Sequence, residues 1–169
     1  MRIVVVSGGF DPIHSGHLAM LREAAGMGDK LIVGVNSDIW LTRKKGKPFM
    51  DIYERKAILQ AIRWVDEVWE FDDSDGTACK LLENVMQHYT TRIYESNEFV
   101  FANGGDRNAE NNAEANVPGW EFVYGVGGSD KRNSSSWLLR SWNESSGSDT
   151  DHRFRLFGEV RRFNPESDI

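Results

Sequence analysis

Three observations predict an α/β domain with a parallel sheet and helices on both of its faces. Short apolar runs alternate with helical periodicity through residues 1–142. The first run, Ile3-Val4-Val5-Val6, is β-branched and continuous, as a buried strand requires. It passes directly into a glycine-rich turn, Ser7-Gly8-Gly9, and then into the helical pattern Leu18, Met20, Leu21, Ala24 and Ala25.

The elements follow in order. Strand one is expected at residues 2–6. Helix one is expected at residues 15–26, closed by Gly26 and Gly28. Strand two covers residues 30–36, and a basic loop, residues 42–47, comes after it. Helix two is expected at residues 51–63, with Ile52, Ala57, Ile58, Ala61 and Ile62 as its apolar face. Strand three lies near residues 67–71. Helix three spans about residues 77–88, with Leu81, Leu82 and Val85 inward. The stretch 93–102 holds the next strand, centred on residues 99–102, and Gly104-Gly105-Asp106 ends it. The polar segment 107–116 reads as a loop or short helix. Residues 120–125 form another strand, Gly127-Gly128 opens a loop, and residues 134–142 read as a last core helix. Residues 143–151, rich in Ser, Asp and Gly, read as a linker. The tail beyond, with Phe154, Leu156, Phe157, Val160 and Phe163, suits a hairpin, an added strand or a flap. Two parts are therefore expected: a main domain at 1–142, and a linker and tail at 143–169.

Size and charge restrict the function. At 169 residues the chain suffices for one domain with a real core. A net charge of −6 and a pI of about 5.2 argue against general nucleic-acid binding. A single cysteine, Cys79, excludes an intramolecular disulfide and any cysteine-based zinc cluster. No apolar stretch approaches 20 residues, so no membrane span is expected. The first residues enter a strand without a signal-peptide layout, and a cytoplasmic enzyme is the expected class. There is no Gly-x-Ser-x-Gly elbow, no Gly-x-x-x-x-Gly-Lys-Ser/Thr run and no Gly-x-Gly-x-x-Gly after strand one. Hydrolase, P-loop kinase and dehydrogenase readings fall with them.

The chemistry concentrates in the first turn. His14 and His17, three residues apart at a helix start, share one face at the place where open α/β sheets bind ligands. A helix N-terminus there favours phosphate, and Gly8, Gly9 and Gly16 let a backbone approach it closely. The run Gly8-Gly9-Phe10-Asp11 leads into His14-Ser15-Gly16-His17, which resembles the H-x-G-H signature of the nucleotidyltransferase superfamily. Val35-Asn36-Ser37-Asp38, Lys44-Lys45-Gly46-Lys47, Glu54-Arg55-Lys56, Arg63-Trp64-Val65-Asp66-Glu67-Val68, Gly104-Gly105-Asp106 and Asn133-Ser134-Ser135-Ser136 follow in family order. Over residues 1–142 the chain is similar to the cytidylyltransferase-like branch, including the glycerol-3-phosphate cytidylyltransferases and the nucleotidyltransferase domains of ADP-heptose synthases.

The resemblance implies a Rossmann-like three-layer α/β/α domain with a parallel sheet. It also implies transfer of CMP or AMP from CTP or ATP to a phosphorylated polyol or sugar, with release of pyrophosphate. By match, His14 and His17 would hold the triphosphate, and an adjacent polyphosphate would favour their protonated form. Lys44 or Lys45 would reach the α-phosphate or the acceptor phosphate. Arg55 and Arg63 would contact acceptor or triphosphate oxygens, with a surface salt bridge to Glu54 or Asp66 as the alternative. Ser134, Ser135 and Ser136 would bind the β- and γ-phosphates at a helix start. Gly104 and Gly105 would admit the base or ribose. Asp106 and Asp11 could bind a sugar hydroxyl or a metal-bound water, though Asp11 could simply brace the turn. Asp38 belongs to the same set. No Asp/Glu/His cluster suggests a resident metal, so Mg²⁺ would arrive with the nucleotide. A homodimer is implied by the family alone. A nicotinamide-mononucleotide-type adenylyltransferase and a non-catalytic nucleotide-binding protein on the same fold stand as alternatives.

Overall fold

The computed structural model describes residues 1–90, 96–105, 108, 110–128 and 134–145. Five strands make one sheet: β1 (Arg2–Gly8), β2 (Lys30–Val35), β3 (Glu67–Glu70), β4 (Glu98–Ala102) and β5 (Glu121–Val123), in the order β3-β2-β1-β4-β5. Every pairing is parallel, as the alternation of strands and helices requires. The strand order reverses direction at β1, so the crevice beyond the ends of β1 and β4 is the topological switch point.

The central strand is buried on both faces. Val4 and Val6 pack with Leu21 and Ala24 of α1 (Ser15–Ala25) and Leu59 of α3 (Ile52–Gln60). Ile3 and Val5 point the other way, toward Leu81, Leu82 and Val85 of α4 (Cys79–Thr90). Helices thus cover both faces, and the expected three layers form. Ile3 through Val6 are fully inaccessible, and each such side chain contributes about 1.5–3 kcal/mol by leaving water. In α4 the inward set Leu81, Leu82, Val85 and Tyr89 follows helical spacing.

Four expectations need correction. The basic segment after β2 is not a loop: it is the last turn of α2 (Asp38–Lys45), started by Ser37, whose Oγ accepts from Trp40 N at 3.0 Å, and anchored by buried Leu41. In α3 the buried residues are Arg55 and Leu59, one turn apart, while Ala57 and Ala61 are exposed. The last helix, α5 (Ser135–Ser145), is not a core helix: none of its residues 135–144 is buried, and Trp137 and Trp142 are 51% and 69% exposed. It also carries the chain helically to Ser145, past the expected linker start at residue 143. The polar segment before β5 contains a short 3₁₀ helix, η1 (Ala113–Asn116), as one of the two expected forms. The rest of the expected linker and tail lies outside the described residues.

Candidate active site

The turn after β1 is shaped from behind by buried polar groups. Asp11 is 1% exposed, and its two carboxylate oxygens accept from Phe49 N at 2.8 Å and Met50 N at 2.7 Å. Arg55, also 1% exposed, donates to three carbonyls: Gly9 and Asn36, each at 2.8 Å, and Met50 at 3.1 Å. Its remaining amine pairs with Asp38 Oδ1 at 2.5 Å, and Asp38 Oδ2 accepts from Ile52 N. One guanidinium therefore joins the β1 turn, the β2 turn and the start of α3. Arg55 is a brace beneath the site, not an open phosphate ligand, and its ion-pair partner is Asp38 rather than Glu54 or Asp66. Asp11 and Asp38 likewise have their oxygens committed to the fold.

On this base stand the two histidines. Their rings stack with centroids 3.8 Å apart, and Phe10, at a positive φ of 50°, packs its ring 5.0 Å from His17. His14 caps α1: its Nδ1 accepts from Gly16 N at 3.1 Å, and His17 Nδ1 accepts from His14 N at 3.3 Å. An accepting Nδ1 fixes the neutral tautomer that carries its proton on Nε2. Each ring thus keeps one donor for a ligand.

Electrostatics act on the rings in the same direction. Burial pushes the His17 imidazole down to about 3, helped by His14 and then by Lys45. His14 is lowered by burial and then by Lys45. Without a nucleotide, then, the shift runs opposite to the expected protonated form, and both rings are neutral donors at neutral pH. Lys45 ends α2 beside them, donating from Nζ to the Asp11 carbonyl at 2.6 Å. Burial lowers its ammonium, with Asp11 opposing and Arg55 adding to the effect. Lys44 instead lies over the Trp40 ring, 4.4 Å from its centroid. Of the two lysines, Lys45 is the one at the histidines.

Other expected residues divide. Ser135 Oγ donates to the Pro12 carbonyl at 2.8 Å, which brings the start of α5 to the histidine turn. Ser134 Oγ accepts from Trp137 N as a helix cap, and Ser136 is exposed. Gly8 closes β1 beside Gly9, where a Cβ would meet Leu41 Cδ2 at 2.9 Å. Gly104, at the end of β4, is packed against α1: a Cβ there would stand 2.6 Å from Met20 Sδ. Gly105 follows at φ +67° with open space around it. Gly16 lies in the first turn of α1. Arg63 does not join the site. It is exposed, lies over Trp64 at 5.1 Å, and sits just before Asp66, which pairs with Leu31 at the start of β2, the far end of the sheet. Asp106 lies outside the described residues.

Sequence reasoning missed Asp73. It is 4% exposed and accepts from Asn36 Nδ2 at 3.0 Å, Ser37 N at 2.8 Å and Ser37 Oγ at 2.7 Å. Ser37 caps α2, so Asp73 orients the helix that delivers Lys45. The Asp-Asp-Ser-Asp run around it gave no local signal, because its partners lie more than 35 residues away.

Among the described residues no group of three or more His, Cys, Asp or Glu could hold a metal ion. With the Asp11 and Asp38 carboxylates committed, these residues do not fit a resident cation. No described helix is long and apolar enough to cross a membrane.

Comparison with known proteins gives the family. The family described as cytidylyltransferase-like matches residues 5–126. The bifunctional protein HldE of Hahella chejuensis is 35% identical over 129 residues, which is 75% of this chain and 23% of that protein. Ethanolamine-phosphate cytidylyltransferase of Arabidopsis thaliana is 45% identical over 65 residues, 38% of this chain and 15% of that protein. The chain thus spans less than a quarter of the length of these relatives. Among solved structures, a bifunctional NMN adenylyltransferase/ADP ribose pyrophosphatase from Francisella tularensis superposes with a TM-score of 0.58 at 17% identity. That match covers 85% of this chain and 42% of the other. At that identity the likeness bears on the fold alone.

Proposed function

The chain belongs to the cytidylyltransferase-like family, and from that premise we propose that it transfers CMP or AMP from CTP or ATP to a phosphorylated polyol or sugar. The observation that carries the proposal is the stacked pair His14 and His17 at the β1 switch point, each with Nδ1 held by a backbone amide and one N–H left to donate. Two neutral donors with Lys45 beside them form an electrostatic cradle for a phosphoryl group, not a nucleophile.

In this reading an oxygen of the acceptor phosphate attacks the α-phosphorus in line. The bond from that phosphorus to the β-bridging oxygen breaks, and its electron pair leaves with pyrophosphate. His14, His17 and Lys45 stabilise the charge on the non-bridging α-oxygens. The start of α5, with Ser134, Ser135 and Ser136, takes the β- and γ-phosphates. The nucleoside lies toward Gly104 and Gly105, across the β1–β4 crevice. Asp106 belongs to that end by sequence match. The divalent ion, Mg²⁺, is part of the nucleotide substrate and enters with it. A cytoplasmic homodimer completes the reading, and a sedimentation mass of two chains checks the assembly.

The test is pyrophosphate release with Mg²⁺, crossing CTP, ATP, UTP and GTP against phosphorylated polyols and sugars, with nicotinamide mononucleotide as a further acceptor. Turnover with CTP or ATP and one sugar or polyol phosphate supports the proposal. Turnover with the mononucleotide alone moves the chain to the adenylyltransferase alternative. Nucleotide binding without turnover leaves a binding protein on this fold.

A further inference from the structure

A cleft of about 830 Å³ opens between the C-terminal end of α2 and α5. It is continuous with the histidine turn at two places. Lys45 lines it and also donates to the Asp11 carbonyl, and Ser136 lines it next to Ser135, which is bonded to Pro12. Elsewhere it reaches residues that the histidine cradle does not use: Lys47, Arg140, Phe49 and Trp142.

The charge of this lining is opposite to that of the chain. Among the described residues Lys44, Lys45, Lys47 and Arg140 stand against one carboxylate, Glu144, in a protein of net charge −6. Its aromatic walls are open to solvent: Phe49 is 59% exposed and Trp142 69%. Cations concentrated beside exposed aromatic faces suit a ligand with a phosphate at one end and a C–H surface with hydroxyls at the other.

Resting on the transferase reading above, we propose that this cleft is the acceptor subsite and that it selects a phosphomonoester of an uncharged polyol or sugar over one bearing an amine. Lys45 faces both the histidines and the cleft, so an acceptor phosphate held there lies beside the α-phosphate. Arg140 offers a planar fork to a phosphate dianion. Trp142 and Phe49 provide faces for the carbon skeleton, and Asn143 and Glu144 provide acceptors for its hydroxyls. An ammonium group would enter among four cations with one carboxylate to meet it. Electrostatics therefore turns the subsite away from amine acceptors such as phosphoethanolamine.

The experiment has a binding arm and a kinetic arm. In the first, saturation-transfer NMR is run on the full chain with glycerol 3-phosphate, ribose 5-phosphate and phosphoethanolamine as probes, on the wild type and on Arg140→Ala and Trp142→Ala. The expected result is transfer to a polyol or sugar phosphate, little to phosphoethanolamine, and loss in both variants. In the second, with the pair that turns over, Arg140→Ala raises the acceptor KM about tenfold or more, as loss of a charged hydrogen bond does. The nucleotide KM stays within about twofold. Preferred binding of phosphoethanolamine, unchanged binding in both variants, or a rise confined to the nucleotide KM overturns the subsite. Because the binding arm needs no turnover, failure of the transferase reading and failure of the subsite separate. Probe binding that Arg140→Ala abolishes, with no pyrophosphate released, retains the cleft and removes the reaction.

Discussion

Two polar clusters sit at opposite ends of the same sheet and treat charge in opposite ways. At the beginnings of β2 and β3, Glu67 accepts from Lys30 Nζ at 2.7 Å, Tyr89 Oη at 2.5 Å and Trp69 Nε1 at 2.7 Å. Burial pulls this carboxyl up, but the bonds from Lys30, Tyr89 and Trp69 outweigh it and hold the group at about 2. Each charge there has its counter-charge inside the fold. Beyond the ends of β1 and β2, burial pushes His14, His17 and Lys45 toward their neutral forms, with Lys45 adding to it at both rings, His14 at His17, and Arg55 at Lys45 against the pull of Asp11. Displaced pKa values occur at both ends. At the histidine end no carboxylate offsets the displacement of the two imidazoles, and such an end has a reason to take an anion. The comparison separates a cluster that fastens β2, β3 and α4 together from one prepared for a ligand.

The most severe way to break it is to remove the brace beneath the histidines. Arg55→Ala leaves three carbonyls and Asp38 without their donor in a buried place. Losing one partner of such a pair costs about 3 kcal/mol or more. Denaturant unfolding should show that loss, with turnover falling alongside it as the β1 and β2 turns separate. A loss below about 1 kcal/mol would mean that the turns hold their shape without the guanidinium.

Next in size is His17→Ala. Removing one donor from a charge-stabilising pair should lower kcat by about 10², close to 2.7 kcal/mol in barrier. The cost to folding should stay near 1 kcal/mol, that of a helix cap. An unchanged rate removes His17 from the mechanism. The counterpart at the other end is Glu67→Gln. It keeps the shape and loses the charge that Lys30 meets, so stability should fall by about 1 kcal/mol while pyrophosphate release stays within about twofold. A tenfold fall in rate would join the two ends functionally and dissolve the contrast.

The sequence displayed much of this molecule. β1 was legible because four consecutive β-branched or apolar residues admit little else, and α4 because Leu81, Leu82 and Val85 keep helical spacing. The histidine turn was legible because its residues are contiguous. Other features were hidden for physical reasons. Thr42-Arg43-Lys44-Lys45 has no apolar stripe, and its helix depends on the Ser37 cap and on Leu41. In α3 the inward face carries a charged residue: Ile52 and Ile62 of the expected apolar face pack against the core, but Ala57 and Ala61 are exposed and periodicity misses Arg55. The roles of Arg55 and Asp73 depend on long-range partners brought from 17 to 46 residues away, which no local pattern records. In α5 the apolar residues Trp137, Leu138, Leu139 and Trp142 read as a core helix, yet the helix lies along the surface and lines a cleft.

The smallest effect expected is also the sharpest test of the contrast, because the two ends titrate in different windows. His17 takes its proton at 6.5 in an ordinary setting and at about 3 in the fold. Between those values the unfolded chain binds the extra proton, so stability is lost as pH falls through that window. Glu67 moves from 4.5 to about 2, so its contribution is present above 4.5 and is lost only below it. From about pH 7 to 5, therefore, the histidine end acts and the glutamate end does not. Unfolding free energy of the wild type should decline across that interval, and His17→Ala should decline less. Glu67→Gln should run parallel to the wild type there and depart from it only in stronger acid. Saturating nucleoside triphosphate should raise the imidazole pKa by supplying the missing counter-charge, so that His17 ring resonances, silent between about pH 8 and 5 in the free protein, begin to titrate. If the free rings instead titrate near 6.5 and the three proteins share one slope, the histidine end holds no unmet charge, and its preparation for an anion rests on geometry alone.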